Sequence, residues 1–192
     1  MKTFITTLLL LLCLNSMAQN QLPDFSFEQI KMSNITMPYR KATIAPVQGE
    51  KPAVVIYLHG GSSKGSDNTT QMNEPGIELI ANYLQSNHIN ALFLVPQCPK
   101  DKSWMGPMYP VLKSMIERYT TDNGAQPATA DINKVYIFGG SMGGTGTWGM
   151  LSMYPDMFAA AMPVAGNPSQ CVAENVAHTP VFTVMGTADV IM

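Results

Sequence analysis

The feature that most constrains this chain is a short apolar run that ends in a cluster of glycines. Residues 135–138 are rich in β-forming side chains, and Gly139-Gly140-Ser141-Met142-Gly143 follows them directly. When a strand turns at once into a helix, the residues two before and two after the turning residue must lack a Cβ. The turn lifts the side chain at its centre clear of the sheet. The pattern therefore predicts a G-x-S-x-G nucleophile elbow, with Ser141 as the nucleophile.

Backbone N–H groups near Ser141 are candidates for an oxyanion hole, the pair of donors that holds the negative oxygen formed during acyl transfer. The N–H of Met142 follows the serine at the start of the expected helix. A second turn, His59-Gly60-Gly61, follows the apolar run Ala53–Leu58. An HGG-type loop in that position supplies the second donor, here Gly61. The alternatives are that the first turn is purely structural and that the second is an ordinary strand exit.

Apolar strands and amphipathic helices alternate along most of the 192 residues. Near-continuous apolar runs are typical of strands in a parallel sheet covered on both faces, and the alternation gives βαβ units with right-handed crossovers. The sequence therefore predicts one α/β domain over residues 19–192, with a mostly parallel sheet and helices on both faces. The predicted strands are 25–32, 39–44, 53–58, 91–95, 135–138, 159–164 and 181–185, and the predicted helices are 74–87, 109–119 and one that follows Ser141.

Several polar segments fall at the carboxyl ends of the predicted strands, where ligands bind in parallel sheets. These are residues 59–62, residues 97–99, Ser141 and Asp189. Asp189 comes after the serine and follows a strand by way of a glycine turn. The order Ser, Asp, His along the chain is typical of the elbow motif, so Asp189 is the candidate for the acid that orients the base. The alternative is an ordinary turn aspartate.

A base for this serine is missing from the sequence. The chain order requires a histidine after Asp189, and none follows. His88 and His178 are expected at the opposite, amino edge of the sheet, and His59 lies within the oxyanion turn. Two interpretations remain: a C-terminally truncated copy that lacks the last strand, helix and histidine, or a naturally inactive protein. Truncation is the expectation, because the apolar strand at 181–185 would otherwise be left uncovered.

The first eighteen residues have the pattern of a secretory signal peptide. Lys2 gives a positive start, residues 4–14 form an apolar stretch, and small side chains occupy the two positions that a signal peptidase reads. The stretch is too short for a permanent membrane span. We therefore expect cleavage after Ala18 and a secreted or periplasmic protein. A lipid anchor on Cys13 is disfavoured, because the bulky Leu12 precedes it.

Charge and cysteine content bear on the remaining classes of function. Charged residues make up 12% of the chain and the net charge is −2, so there is no basic face to attract nucleic acid. The fifteen methionines are scattered, and we expect them as core filling rather than metal ligands. Cleavage leaves Cys98 and Cys171, which an oxidising compartment allows to pair. A disulfide and two separate buried thiols both remain open.

With these features assembled, the chain resembles the α/β-hydrolase superfamily, and within it the secreted esterases related to phospholipase/carboxylesterases, feruloyl esterases and polyhydroxybutyrate depolymerases. The resemblance implies Ser141 as nucleophile, Asp189 as acid, the N–H groups of Gly61 and Met142 as oxyanion hole, and no cofactor. It also implies a histidine that this sequence lacks. The matching stretches are YLHGGSSKGSDN at 57–68, LVPQCP at 94–99 with SW at 103–104, and the segments 131–166 and 180–189.

The expected substrate is a carboxylic ester, either a small molecule or one linked to a polysaccharide, hydrolysed through an acyl-enzyme on Ser141. Two alternatives remain. One is a prolyl-oligopeptidase-like serine peptidase, which shares the elbow and the aspartate turn. The other is a catalytically inactive binding protein that keeps the hydrolase scaffold, since fold does not fix function.

Overall fold

The computed structural model of the protein describes residues 22–124 and 126–189. The predicted signal peptide at 1–18 lies outside the described residues. Six strands form one sheet in the order β1-β2-β4-β3-β5-β6. Their bounds are Ser26–Met32 (β1), Ile35–Ile44 (β2), Ala53–Leu58 (β3), Ala91–Pro96 (β4), Val135–Gly140 (β5) and Ala160–Val164 (β6).

The sheet is parallel in its centre and antiparallel at one edge. Strand β3 pairs in parallel with β4 and β5, and β5 pairs in parallel with β6. Strands β1 and β2 form an antiparallel hairpin that joins β4 through β2. The predicted α/β class is confirmed, and the carboxyl ends of β3, β4, β5 and β6 meet at one edge of the sheet.

Helices cover both faces, as predicted. Helix α1 (Pro75–Ser86) lies on one face, and α2 (Met108–Thr120) and α3 (Met142–Met153) lie on the other, where a short α4 (Ala173–Val176) contacts α3. Alternate residues of a strand point to opposite faces. In β3, Val55 and Tyr57 therefore pack with the apolar stripe of α1, whereas Val54, Ile56 and Leu58 pack with α2 and α3.

The strand predicted at 181–185 is present only as two isolated parallel bridges to β6, Ala161 with Val181 and Val164 with Val184. Pro163 lies between the two bridges on β6 and has no N–H to donate, so the hydrogen-bond ladder is interrupted there. The Thr183 hydroxyl instead donates to the Pro163 carbonyl at 2.8 Å. This correction leaves the segment attached to β6 but not a regular strand.

Within residues 22–124 and 126–189, no helix is both long and apolar enough to cross a membrane. Cys98 is buried and Cys171 is half-buried, and both are free thiols. Of the two alternatives left open by the sequence, the structure shows separate thiols rather than a disulfide.

Candidate functional site

The candidate nucleophile Ser141 sits in a strained turn between β5 and α3. Its backbone has φ 54° and ψ −119°, a left-handed geometry that costs a residue with a Cβ about 1–3 kcal/mol. Two backbone hydrogen bonds hold the turn: the N–H of Ser141 donates to the Val164 carbonyl at 2.9 Å, and its carbonyl accepts from the N–H of Thr145 at 3.0 Å. The residue is exposed. The hydroxyl is therefore presented at the carboxyl edge of the sheet by a rigid turn.

The two outer glycines of the motif are required by contact with neighbouring backbone. A Cβ at Gly139 would lie 2.3 Å from the carbonyl oxygen of Gly143, and a Cβ at Gly143 would lie 1.8 Å from that of Leu58. No side chain fits at either distance. The inner Gly140 differs, because a Cβ there would meet only the Tyr57 hydroxyl at 3.6 Å. The spacing argument made from the sequence thus has a direct structural cause.

The candidate oxyanion donors lie on two short turns that touch. Met142 and Gly61 are each the first residue of a helix, the latter of the 3-10 turn Gly61–Ser63, and a first-turn N–H has no carbonyl acceptor within its own helix. Gly60 packs against the elbow, since a Cβ at Gly60 would be 3.8 Å from that of Ser141. The Gly60 N–H donates to the carboxylate of Glu74 at 3.2 Å, so this amide is already engaged, and Gly61 remains the predicted donor of the turn.

His59 is a structural residue rather than a base. The ring is fully buried, its Nε2 accepts the Cys98 N–H at 2.9 Å, and its Nδ1 lies 2.6 Å from the Gly60 carbonyl. Nδ1 therefore carries the proton and Nε2 has none, so the imidazole is neutral. Burial lowers the pKa of His59, in agreement with this state. The indole of Trp104 packs edge-on against the ring and donates to the His59 carbonyl at 2.9 Å.

The other two histidines are also remote from the elbow. His88 is an exposed residue just after α1, at the amino end of β4. His178 is exposed and pairs with Asp156 at 3.2 Å, near the start of β6. Neither lines the cleft at Ser141. The expectation that none of the three histidines can act as base agrees with these positions.

Ser141 opens onto a cleft of about 350 Å³ with a neutral lining. One wall belongs to the loop after β6, which is pressed onto α3 because neither Gly144 nor Gly166 has a Cβ: one at Gly166 would lie 2.3 Å from the carbonyl carbon of Gly144. This contact lets the Asn167 N–H donate to the Thr145 hydroxyl at 3.0 Å. The other residues that line the cleft are Met105, Met142, Thr145, Asn167, Ser169 and Gln170.

Asp189 lies at the same edge of the sheet but not in this cleft. Val184 pairs with Val164, whose carbonyl accepts the Ser141 N–H, and Asp189 follows five residues later in a turn closed by its N–H to Gly186 at 3.1 Å. It is half-buried and does not line the cleft. The structure thus places Met142 and the Gly60 end of the second turn beside Ser141. Neither Gly61 nor Asp189 lines the cleft, and the roles of both stay predictions.

Two features of the site were missed in the sequence. Glu74 is the first residue of the helix predicted at 74–87, yet its side chain bonds to the Gly60 turn. Asn167 reads as part of a strand-exit turn, yet it builds one wall of the cleft. In both, the signal is a long-range contact that residue spacing does not reveal. Among the described residues, no group of His, Cys, Asp and Glu side chains is arranged to hold a metal ion.

Comparison with known proteins supports the fold and points to esterases. No family model matches the chain. It is 34% identical over 74 residues to poly(3-hydroxyalkanoate) depolymerase C of Paucimonas lemoignei, a match over 38% of this chain and 16% of the depolymerase. Its structure is similar to that of a thermostable esterase, with TM-score 0.63 and 28% identity, over 83% of this chain and 46% of the esterase.

A second solved structure extends the likeness at lower identity. The feruloyl esterase module of Clostridium thermocellum matches with TM-score 0.65 and 17% identity, over 86% of this chain and 68% of the module. The chain thus has the α/β-hydrolase fold, and its structural neighbours are esterases of that fold. It spans about one sixth of the depolymerase and less than half of the thermostable esterase.

Proposed function

We propose that this α/β-hydrolase-fold protein is a secreted serine esterase with Ser141 as its nucleophile. The observation that carries the proposal is the geometry of one residue. Ser141 is held exposed at φ 54°, directly before the first N–H of α3 and against the Gly60–Gly61 turn. This setting supports the proposal because a serine nucleophile needs an exposed oxygen and nearby N–H donors.

The proposed reaction proceeds in two halves. The Ser141 oxygen attacks the ester carbonyl carbon while a base removes its proton, and the N–H groups of Met142 and Gly61 hold the oxygen that becomes negative. The tetrahedral intermediate collapses, the alcohol leaves with the proton from the base, and the acyl group remains on Ser141. Water then attacks the acyl-enzyme in the same manner and releases the acid.

The base in this proposal is a histidine oriented by Asp189. None of His59, His88 and His178 lies at the cleft, so the proposal takes as base a histidine that the given sequence does not contain. Asp189 supports this arrangement by its place at the carboxyl edge of the sheet. It lies five residues after Val184, which bridges to Val164. Each oxyanion donor contributes about 2.7–4 kcal/mol to the transition state.

The cleft and the comparisons favour an ester over a peptide. The lining carries no charged side chain to grip a peptide terminus, and the relative with 28% identity is an esterase. The acylaminoacyl peptidase of Pyrococcus horikoshii shares the fold at 16% identity, which bears on architecture alone. The neutral cleft suits an uncharged substrate, either a small ester or one carried on a polysaccharide.

The test is covalent labelling followed by a substrate comparison, on protein expressed from its complete reading frame. A fluorophosphonate is expected to label wild type and the exposed-serine control Ser86→Ala, but not Ser141→Ala, and peptide mass spectrometry should place the label at Ser141. Hydrolysis of p-nitrophenyl acetate should fall about 10⁶-fold in Ser141→Ala. An unlabelled wild type would favour a binding protein, and preference for a chromogenic peptide would favour a peptidase.

A further inference from the structure

The turn that carries Gly61 is tied at both ends by a single carboxylate. One oxygen of Glu74, Oε1, accepts a hydrogen bond from the Gly60 N–H at 3.2 Å and another from the Ser63 hydroxyl at 2.6 Å. Gly60 directly precedes the turn, and Ser63 is its last residue. The N–H of Ser63 also donates to the Gly60 carbonyl at 3.3 Å. The Glu74 carboxylate therefore bridges the two ends of the turn.

The position of Glu74 depends on how α1 begins. Gly76 packs on Tyr57 of β3 so closely that a Cβ there would lie 2.6 Å from the ring. This contact holds the first turn of α1 beside the carboxyl end of β3. Glu74 is the residue that precedes the helix, yet its side chain makes no capping bond to α1. The carboxylate is directed to the turn instead.

The environment of Glu74 is unusual for a structural carboxylate. The residue is half-buried, and no ion pair engages it among the described residues. The Glu74 carboxylate accepts hydrogen bonds from the Gly60 N–H and the Ser63 hydroxyl. Hydrogen bonds to an ionised acceptor are about twice as strong as those between neutral groups. Burial, with a smaller contribution from the charge of Glu74, raises the pKa of Tyr57 to about 12.

We propose that Glu74 is a positioning residue that fixes the Gly61 N–H for the transition state by tying both ends of its turn. This inference rests on the proposed function of Ser141. By taking up the Gly60 N–H, Glu74 also determines which amide of the turn remains available. It acts through the turn and does not exchange a proton with the substrate.

This role makes a specific kinetic prediction. A misplaced oxyanion donor weakens binding of the transition state more than that of the substrate. Glu74→Ala should therefore lower kcat about 10–100-fold, with KM changed less than about 3-fold. Glu74→Gln keeps an acceptor oxygen of the same shape and should lose less than about 5-fold. A carboxylate that exchanged protons would instead lose as much in Glu74→Gln as in Glu74→Ala.

The experiment compares four variants on p-nitrophenyl acetate and follows amide hydrogen exchange in parallel. Ser63→Ala removes one of the two bonds and should fall between Glu74→Gln and wild type. Glu78→Ala, an exposed acid in the first turn of the same helix, is the matched control and should behave as wild type. In Glu74→Ala the Gly60 amide should exchange at least about 10-fold faster, because its acceptor is gone.

The outcomes separate this inference from the proposed function. Faster Gly60 exchange in Glu74→Ala with kcat within 2-fold of wild type would show that the turn can be released without consequence, and the inference would be wrong. Equal loss in Glu74→Gln and Glu74→Ala would also overturn it in favour of proton transfer. If wild type neither hydrolyses the ester nor accepts the fluorophosphonate, the proposed function fails. The exchange measurement does not depend on activity. An unchanged exchange rate of the Gly60 amide in Glu74→Ala would therefore contradict the hydrogen bond from Gly60 to Glu74, whether or not the protein is an esterase.

Discussion

The N–H of Cys98 donates a hydrogen bond to Nε2 of His59 over 2.9 Å, which joins the segment after β4 to the turn after β3. The bond requires an unprotonated Nε2. The opposite nitrogen, Nδ1, lies 2.6 Å from the Gly60 carbonyl. One buried imidazole thus links the residue before the candidate oxyanion turn to the segment after β4, and it can do so only while it is neutral.

The first prediction concerns pH. Burial lowers the pKa of His59 below its ordinary 6.5, so the unfolded chain binds this proton more readily than the folded one. The free energy of unfolding should therefore decrease as pH falls below about 6.5, until the folded imidazole is protonated as well. Urea unfolding at pH 7.5, 6.5 and 5.5 measures the effect, and ring nitrogen shifts in NMR should report the Nδ1–H tautomer at neutral pH.

The control for this prediction is His88→Gln, which removes an exposed histidine and should leave the pH dependence unchanged. His59→Gln should flatten it even though the variant is less stable. A His59 ring that titrates near 6.5 in the folded protein would contradict the assignment of a neutral, hydrogen-bonded imidazole.

The second prediction compares two glycines of the elbow. A methyl group at Gly143 would lie 1.8 Å from the Leu58 carbonyl oxygen, whereas one at Gly140 would meet only a hydroxyl at 3.6 Å. Gly143→Ala should therefore lower the free energy of unfolding by at least about 3 kcal/mol and abolish labelling of Ser141. Gly140→Ala should stay within about 1 kcal/mol of wild type. Thermal and urea unfolding give both values, and equal stability of the two variants would disprove the backbone contact.

The third prediction concerns Gln97, a fully buried amide that links the loop after β3 to β4. Its Oε1 accepts the Asn68 N–H at 2.7 Å, and its Nε2 donates to Asp67 at 2.8 Å. Hydrogen bonds from the hydroxyl and N–H of Thr70, then from the Thr69 N–H and from Gln97, hold the pKa of Asp67 well below its usual range. Gln97→Leu leaves a buried donor without an acceptor and should cost about 3 kcal/mol.

Gln126→Leu, at an exposed position, serves as the matched control for Gln97 and should change stability by less than about 0.5 kcal/mol. Equal effects at the two positions would show that the loop is not held by the buried amide. Urea midpoints measured at pH 7.5 are sufficient to decide.

The fourth prediction concerns the two thiols of the described chain. Burial raises the pKa of Cys98 to about 12, and Cys98 is fully buried, whereas Cys171 is only half-buried. A thiol reagent should therefore modify Cys171 in the folded protein and Cys98 only after unfolding. In Cys171→Ala, Cys98 should stay unmodified until denaturant is added. A disulfide found under non-reducing conditions would contradict the free thiols of the structure.

The elbow was predictable because everything that defines it is local in sequence. Ser141, its flanking glycines, the strand before it and the helix after it occupy one continuous stretch, and steric rules act between near neighbours. The strand Ala53–Leu58 was predicted to the residue for a similar reason: a strand covered on both faces is apolar at every position, and all six residues are buried.

The remaining parts of the site depend on contacts that sequence spacing does not carry. The hydrogen bonds that Glu74 accepts from the turn depend on the contact between Gly76 and Tyr57. This contact joins a helix to a strand that lies far from it in the sequence. The break in the last strand comes from Pro163 on its neighbour rather than from its own residues. The β-rich pattern of 181–185 predicted a strand, but regular pairing also depends on which N–H groups β6 can offer.

The backbone of Ser141 has a consequence for how this chain can change over generations. At φ 54° and ψ −119°, glycine would relieve the steric cost of a side chain, so selection for stability alone favours loss of the hydroxyl. A serine at a position where glycine would be less strained points to a role for its oxygen rather than to a contribution to folding.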